Sequence, residues 1–149
     1  MAEPASAHER NLALLEAGID AYNQGDLGFV VEHAADDIEV VASANLANPG
    51  TFHGHDGFLT WMRDWSEAWS TNTIEVRSVE AVDDRYLLVD VHQRGEGAGS
   101  GVEVEMDLTQ LIEVRDGQIA RFQLHPTHEA AEAALEGLRA AAGTRPVAD

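Results

Sequence analysis

From Glu9 to Asn23 the apolar residues Leu12, Leu15, Ile19 and Tyr22 recur every three or four positions, the period of a helix that lays one face on a core. Gly25 reaches left-handed backbone angles cheaply and Asp26 is a good N-cap. "NQGDL" therefore reads as a corner into a second helix through Phe29, Val30 and His33. Asp36-Asp37 marks a turn, after which Ile38, Val40 and Ala42 alternate with Glu39 and Val41 as in a strand with one covered face. Ser43 to Gly57 reads as a loop, because Asn45, Asn48, Pro49, Gly50, Gly54 and Gly57 break regular structure. "FLTWMRDWSEAW" then sets Phe58, Trp61, Met62, Trp65 and Trp69 on one stripe of a third helix.

Beyond Thr73 the period shortens to two. Strands are expected at "TIEVRSVEAV", "RYLLVDVHQR", "GVEVEMDLTQLIEV" and "QIARFQLH", separated by Asp83-Asp84, by "GEGAGSG" and by the hairpin dipeptide Asp116-Gly117. Residues 127–142 form an alanine-rich helix whose only large apolar residues are Leu135 and Leu138, which predicts weak packing, and "GTRPVAD" reads as a frayed tail. Helices followed by an antiparallel meander predict an α+β fold in which helices cover one face of a curved sheet. One domain is expected over 8–142, with flexible ends at 1–7 and 143–149.

Strand alternation sorts the side chains. Leu87, Val89 and Val91 form an inward apolar face, with Gln93 also inward near the mouth, and Asp90, His92 and Arg94 point the other way. In the next strand Val102, Val104, Met106, Leu108, Gln110 and Ile112 share the apolar face, opposite Glu103, Glu105 and Asp107. Gln110 is the polar exception, and leaving it unsatisfied costs about 1–3 kcal/mol, so it needs a partner from the protein, water or a ligand. Outside, His92 and Arg94 are expected to pair with Glu103 and Glu105, on a face that could also meet a second subunit. Were a bulge to reverse the strand, Asp90 and His92 would instead form an acid-base dyad inside.

Composition removes several classes of function. The chain has 27 acidic residues against 9 Lys plus Arg, a formal charge of −18, which repels phosphate backbones and anionic headgroups. Neither nucleic acid nor membrane is expected as a partner. Without cysteine there is no thiolate nucleophile or Cys-ligated metal. "MAEPASA" has no basic or apolar leader region, and no apolar run approaches the roughly 20 residues that span a bilayer, so a cytoplasmic protein is expected. His53 with His55, and His125-x-x-His128, invite a metal reading, but neither spacing matches a zinc signature, so no metal is expected. "GEGAGSG" lies inside a hairpin with no following helix to bind phosphate, and no cofactor is expected.

Taken together, "AYNQGDL", "DDIEV", "TFHGHDGF", "GSGVEVE" and "EVRDGQIARF" resemble the nuclear transport factor 2-like superfamily and, within it, the SnoaL-like group, over roughly residues 8–138. The resemblance implies a cone: a curved mixed or antiparallel sheet with about three N-terminal helices on its concave face and a short C-terminal helix. Relatives of this kind include ketosteroid isomerases, limonene epoxide hydrolases, scytalone dehydratases and polyketide cyclases. Ketosteroid isomerase uses an aspartate base with a tyrosine and a protonated aspartate. Those positions fall here on Ala42, Gly18 and Gln110, and the last aspartate of the epoxide hydrolases falls on Leu124. Of these only Gln110 retains a hydrogen-bond donor.

Three readings follow. In the first, the chain is a cofactor-independent isomerase, lyase, cyclase or hydrolase acting on a small hydrophobic carbonyl or polyketide-like compound. Gln110 polarises that substrate, and His53 or His125 at the mouth moves a proton. The wall is then Tyr22, Trp61, Trp65, Val89, Val91, Gln93, Met106, Leu108, Phe122 and Leu124. In the second, the same cone binds a hydrophobic molecule without turning it over. In the third, the cone is filled by its own side chains and the outer sheet face forms a homodimer.

Overall fold

The computed structural model describes residues 6–42, 50–67 and 69–143. Expectations for the first five residues, for Asn45, Asn48 and Pro49, and for the tail after Gly143 lie outside the described residues. Helix α1 (Ala7–Asn23) starts where Ser6 Oγ accepts from the Glu9 amide, and α2 (Leu27–Glu32) where Asp26 Oδ1 accepts from Phe29 N–H at 3.1 Å. Gly25, at φ 81°, turns the chain between them, so "NQGDL" is the expected helical corner.

Strand β1 (Ala34–Ala42) begins earlier than expected. Asp36 and Asp37 do not end a segment; they sit exposed where the register of β1 shifts between Ala34 and Glu39, so the ladder continues past them. The anticipated loop is also interrupted. Residues Gly50–His53 form an edge strand, β2, paired antiparallel with β1, and α3 (Gly54–Glu67) starts within the stretch read as loop. The four residues of β2 are too few to show an alternation of their own, and their pairing is supplied by β1.

Trp69 leaves the helical stripe and opens β3 (Trp69–Val82), which pairs with β4 (Tyr86–Gly97), then β5 (Glu103–Arg115) and β6 (Gln118–His125). A residue four positions after Trp65 fits a helix stripe or the first inward position of a strand equally well, and its ring remains 6.1 Å from that of Trp65. Both central residues of the Asp83-Asp84 and Asp116-Gly117 turns have positive φ, the backbone that matches the twist of a hairpin. The strands run β2-β1-β6-β5-β4-β3 in one mixed sheet, with β1 parallel to β6 and all other pairs antiparallel. At Gly95 the chain requires glycine: a Cβ there would stand 2.0 Å from the Thr71 carbonyl oxygen, at a register shift of β3.

The main core lies between α1, α2, α3 and one face of this curved sheet, and includes Ile38, Val40, Trp61, Val89 and Phe122. The opposite face is not bare. Helix α4 (His128–Gly143) lays Ala131 and Leu135 on Tyr86, Leu88 and Leu111, all at most 5% exposed. The weak packing expected from its alanines is overturned: small side chains let the helix approach closely, and the sheet supplies the large residues. Nearby, Arg85 and Arg121 both bond Glu113, and Arg121 reaches on to Glu39, which laces β1, β6 and β5 together.

Burial by itself would raise the Glu113 carboxyl, but its hydrogen bonds from Arg85 and Arg121 outweigh burial and hold it below the ordinary glutamate value. The folded state therefore releases this proton more readily than the unfolded chain. The stability so gained is complete above the unfolded value of about 4.3 and is lost as pH falls through the lower folded one. Glu113→Gln should lower stability at neutral pH by about 1–3 kcal/mol and flatten the acid limb of the curve between about pH 5 and 3, as read by urea unfolding across pH. Leu135→Ala should cost about 2–4 kcal/mol in the same assay; a loss near zero would return α4 to the weakly packed class.

Candidate functional site

Inside the cone a cavity of about 70 Å³ lies among α1, α3 and the concave face. Tyr22 comes from α1, Trp61 and Trp65 from α3, Gln93 from β4, Gln110 from β5, and Phe122 with Leu124 from β6. Trp61 stacks on Trp65 at 5.9 Å and leans on Phe122 at 5.5 Å, so the aromatic wall is one packed unit. Gly18 lines the cavity, with open space around its Cβ position.

Two polar features break the apolar lining. At one, Gln93 Nε2 donates to Asn72 Oδ1 at 2.5 Å, and Asn72 in turn donates to the Tyr22 hydroxyl. Burial raises the Tyr22 phenol above its ordinary value, only partly countered by hydrogen bonds with Ser66, Asn72, Gln93 and Trp65, so it remains a protonated donor at neutral pH. The other is Gln110, 5% exposed, whose carboxamide makes no hydrogen bond among the described residues. Because no polar side-chain atom in the described residues is sealed without a partner, this amide opens onto the cavity.

No Asp, Glu, His, Lys or Arg among the described residues lines the cavity. His53 is exposed on β2 and does not reach it. His125 faces outward, because Phe122 and Leu124 take the inward positions of β6; its Nε2 meets Gln123 Oε1 at 2.8 Å, and burial lowers its pKa. Asp90 and His92 also face outward, since β4 keeps the expected parity and the reversal needed for an internal dyad does not occur. Val89, Val91 and Leu108 are buried in the core and Met106 packs against it, yet none of the four lines the cavity. Ala42 is core as well.

Outside, His92 bonds Asp107 at 2.7 Å and Glu105 at 3.1 Å, which raises its pKa, and Arg94 lies 3.8 Å from Glu105. The expected pairing is displaced by two residues, to the next outward position, because the register sets Glu103 opposite Glu96, Glu105 opposite Arg94 and Asp107 opposite His92. His55 Nε2 meets the Ala34 carbonyl at 2.8 Å and lies 3.7 Å from Asp36. Sequence reasoning missed Asn72, because "WSTNT" reads as the end of a helix, and missed the approach of His128 to Asp90 at 2.8 Å, which needs α4 folded across the sheet.

The described elements form a helix-lined α+β cone closed by a six-stranded mixed sheet, with the Gln110 carboxamide facing its cavity. The SnoaL-like domain model matches residues 15–122, and the chain belongs to that family. Among solved structures it is similar to an NTF2-like protein of unknown function from Burkholderia pseudomallei, at TM-score 0.73 and 16% identity over 81% of this chain and 93% of that one. It is similar also to TerC co-crystallised with polyporic acid, at TM-score 0.70 and 16% identity over 85% and 98%. A candidate SnoaL-like polyketide cyclase from Jannaschia sp. matches at TM-score 0.72 and 15% identity over 90% and 96%. No curated protein matches the sequence.

An unpartnered, buried carboxamide is a structural cost. Gln110→Leu, close in volume and without the amide, should raise stability by about 1 kcal/mol in urea unfolding; a loss of that size would show instead that the amide is already satisfied.

Proposed function

We propose that the cone binds a small, largely apolar molecule carrying a carbonyl, and that Gln110 donates to its oxygen. One observation carries this reading: on the described wall of the cavity, the Gln110 carboxamide has no hydrogen-bond partner among the described residues. A buried polar group at roughly 1–3 kcal/mol of cost is explained when a ligand satisfies it. The Tyr22–Asn72–Gln93 chain supplies a second polar edge.

The volume limits the occupant. At about 70 Å³ the cavity is well below the roughly 300 Å³ of a drug-sized pocket, and about half the ~150 Å³ that holds benzene. The resting cavity therefore suits a molecule of a few heavy atoms, and a larger ring system enters only if Trp61, Trp65 or Met62 moves.

For chemistry, donors that polarise a carbonyl are present, while Tyr22 is the one titratable group on the described wall. Electrophilic activation is thus within reach of the site, and proton abstraction of the ketosteroid isomerase kind has no resident carboxylate or imidazole facing the cavity among the described residues. This favours binding and polarisation over acid-base turnover by the chain alone. TerC, of similar fold, was co-crystallised with polyporic acid, which accords with a small-molecule role.

Acetone and 2-methylpropene match in size and differ by the carbonyl oxygen, and both are small enough for the resting cavity. Followed by tryptophan fluorescence or ligand-observed NMR, wild type should prefer the ketone by roughly five- to tenfold, the worth of one hydrogen bond. Gln110→Leu should bind the two alike. Equal affinity in wild type, or an unchanged preference in the variant, would remove Gln110 from the role.

A further inference from the structure

On the outer face Asp90 sits in a row with Ser78 of β3 and Thr109 of β5, opposite it in the two ladders. Ser78 Oγ donates to Asp90 Oδ2 at 2.9 Å and Thr109 Oγ1 to Oδ1 at 2.7 Å, so the carboxylate is held from both sides. His128, the first residue of α4, brings Nδ1 to 2.8 Å from the same Oδ1. A carboxylate only accepts, so Nδ1 carries the proton and Nε2 is turned away from the sheet. There it meets Glu132 Oε1 at 2.7 Å, one helical turn along α4, and Glu80 Oε1 of β3 at 3.9 Å. The three ligand atoms all lie within 4.8 Å of one another.

We propose that Glu80, His128 and Glu132 bind a divalent transition-metal cation, Zn²⁺ by ligand type, with Asp90 as the positioning residue. A nitrogen lone pair and a carboxylate oxygen approach this closely only with a cation between them, a proton or a metal. Zinc bonds of about 2.0–2.2 Å arranged tetrahedrally separate ligand atoms by about 3.4 Å, between the two distances found here. Both glutamates are more than half exposed and free to move by the roughly 0.5–0.7 Å that separates these distances from the tetrahedral one. Ser78 and Thr109 on Asp90, and Asp90 on His128, form the outer hydrogen-bond support that fixes the ring of a metal-binding histidine. The site is separate from the cone and clamps α4 to β3. Neither histidine pair noted in the sequence points to it, because His125 turns to Gln123 and the other ligands come from a helix turn and a distant strand.

Titration of the full, chelator-stripped chain with ZnCl₂ by calorimetry tests this. Wild type should bind one saturable equivalent and gain melting temperature. His128→Ala and Glu132→Gln should each weaken binding at least tenfold and remove the thermal gain, and Asp90→Asn should weaken it about tenfold or more. Glu129→Gln, on the same helix but outside the cluster, should bind as wild type. With Glu132→Gln the imidazole and its contact to Asp90 stay in place, so a folding defect in His128→Ala leaves the test intact. No saturable binding in wild type means that a proton alone bridges His128 and Glu132, and equal binding by wild type, His128→Ala and Glu132→Gln means diffuse attraction to an acidic chain; either overturns the proposal.

Discussion

The two-residue alternation of β4 against β5 is the constraint on which the molecule depends. With Val89 opposite Gln110 and Asp90 opposite Thr109, the apolar inward residues of the pair join the main core, while the outward ones meet α4, ion pairs or solvent. A slip of one residue would bury Asp90, His92 and Asp107 and expose Val89, Val91 and Leu108, which apolar burial forbids. Fixing that register fixes the cavity, the second core and the row Ser78–Asp90–Thr109 together.

Polar groups in the interior are treated in two ways. Tyr22, Asn72 and Gln93 satisfy one another, so their burial is largely offset and the phenol is held protonated. Gln110 has no such partner among the described residues, and its amide faces open space. Where apolar residues of similar size would fold as well or better, an unsatisfied amide marks a place where stability and ligand recognition diverge.

The outer face divides along its length. Near the β3–β4 turn it is apolar and covered by α4 through Tyr86, Leu88 and Leu111; further along β4 it becomes a polar field of Asp90, His92 and Arg94 facing Thr109, Asp107 and Glu105. His128 stands at the boundary, where α4 begins. The helix is thus held by burial along its body and by the Asp90 contact at its start, two attachments that respond differently to salt and pH.

Sequence by itself determined most elements and both sheet faces. Helical spacing located α1 and α3, period two located the four strands of the meander, and Gly25, Asp26, Asp116 and Gly117 marked corners whose backbone angles admit few residues. It also singled out Gln110, because one polar residue on an apolar stripe is visible without coordinates. The tertiary structure alone decided what non-local pairing controls: β2 exists only as the edge partner of β1, the bulge carries Asp36 and Asp37 through β1, and Trp69 belongs to a strand. It likewise decided that Asn72 reaches Tyr22, that no histidine among the described residues faces the cavity, and that His128 meets Asp90 and Glu80. Those contacts join residues far apart in the chain, and local periodicity carries no information about which distant partner a side chain will find.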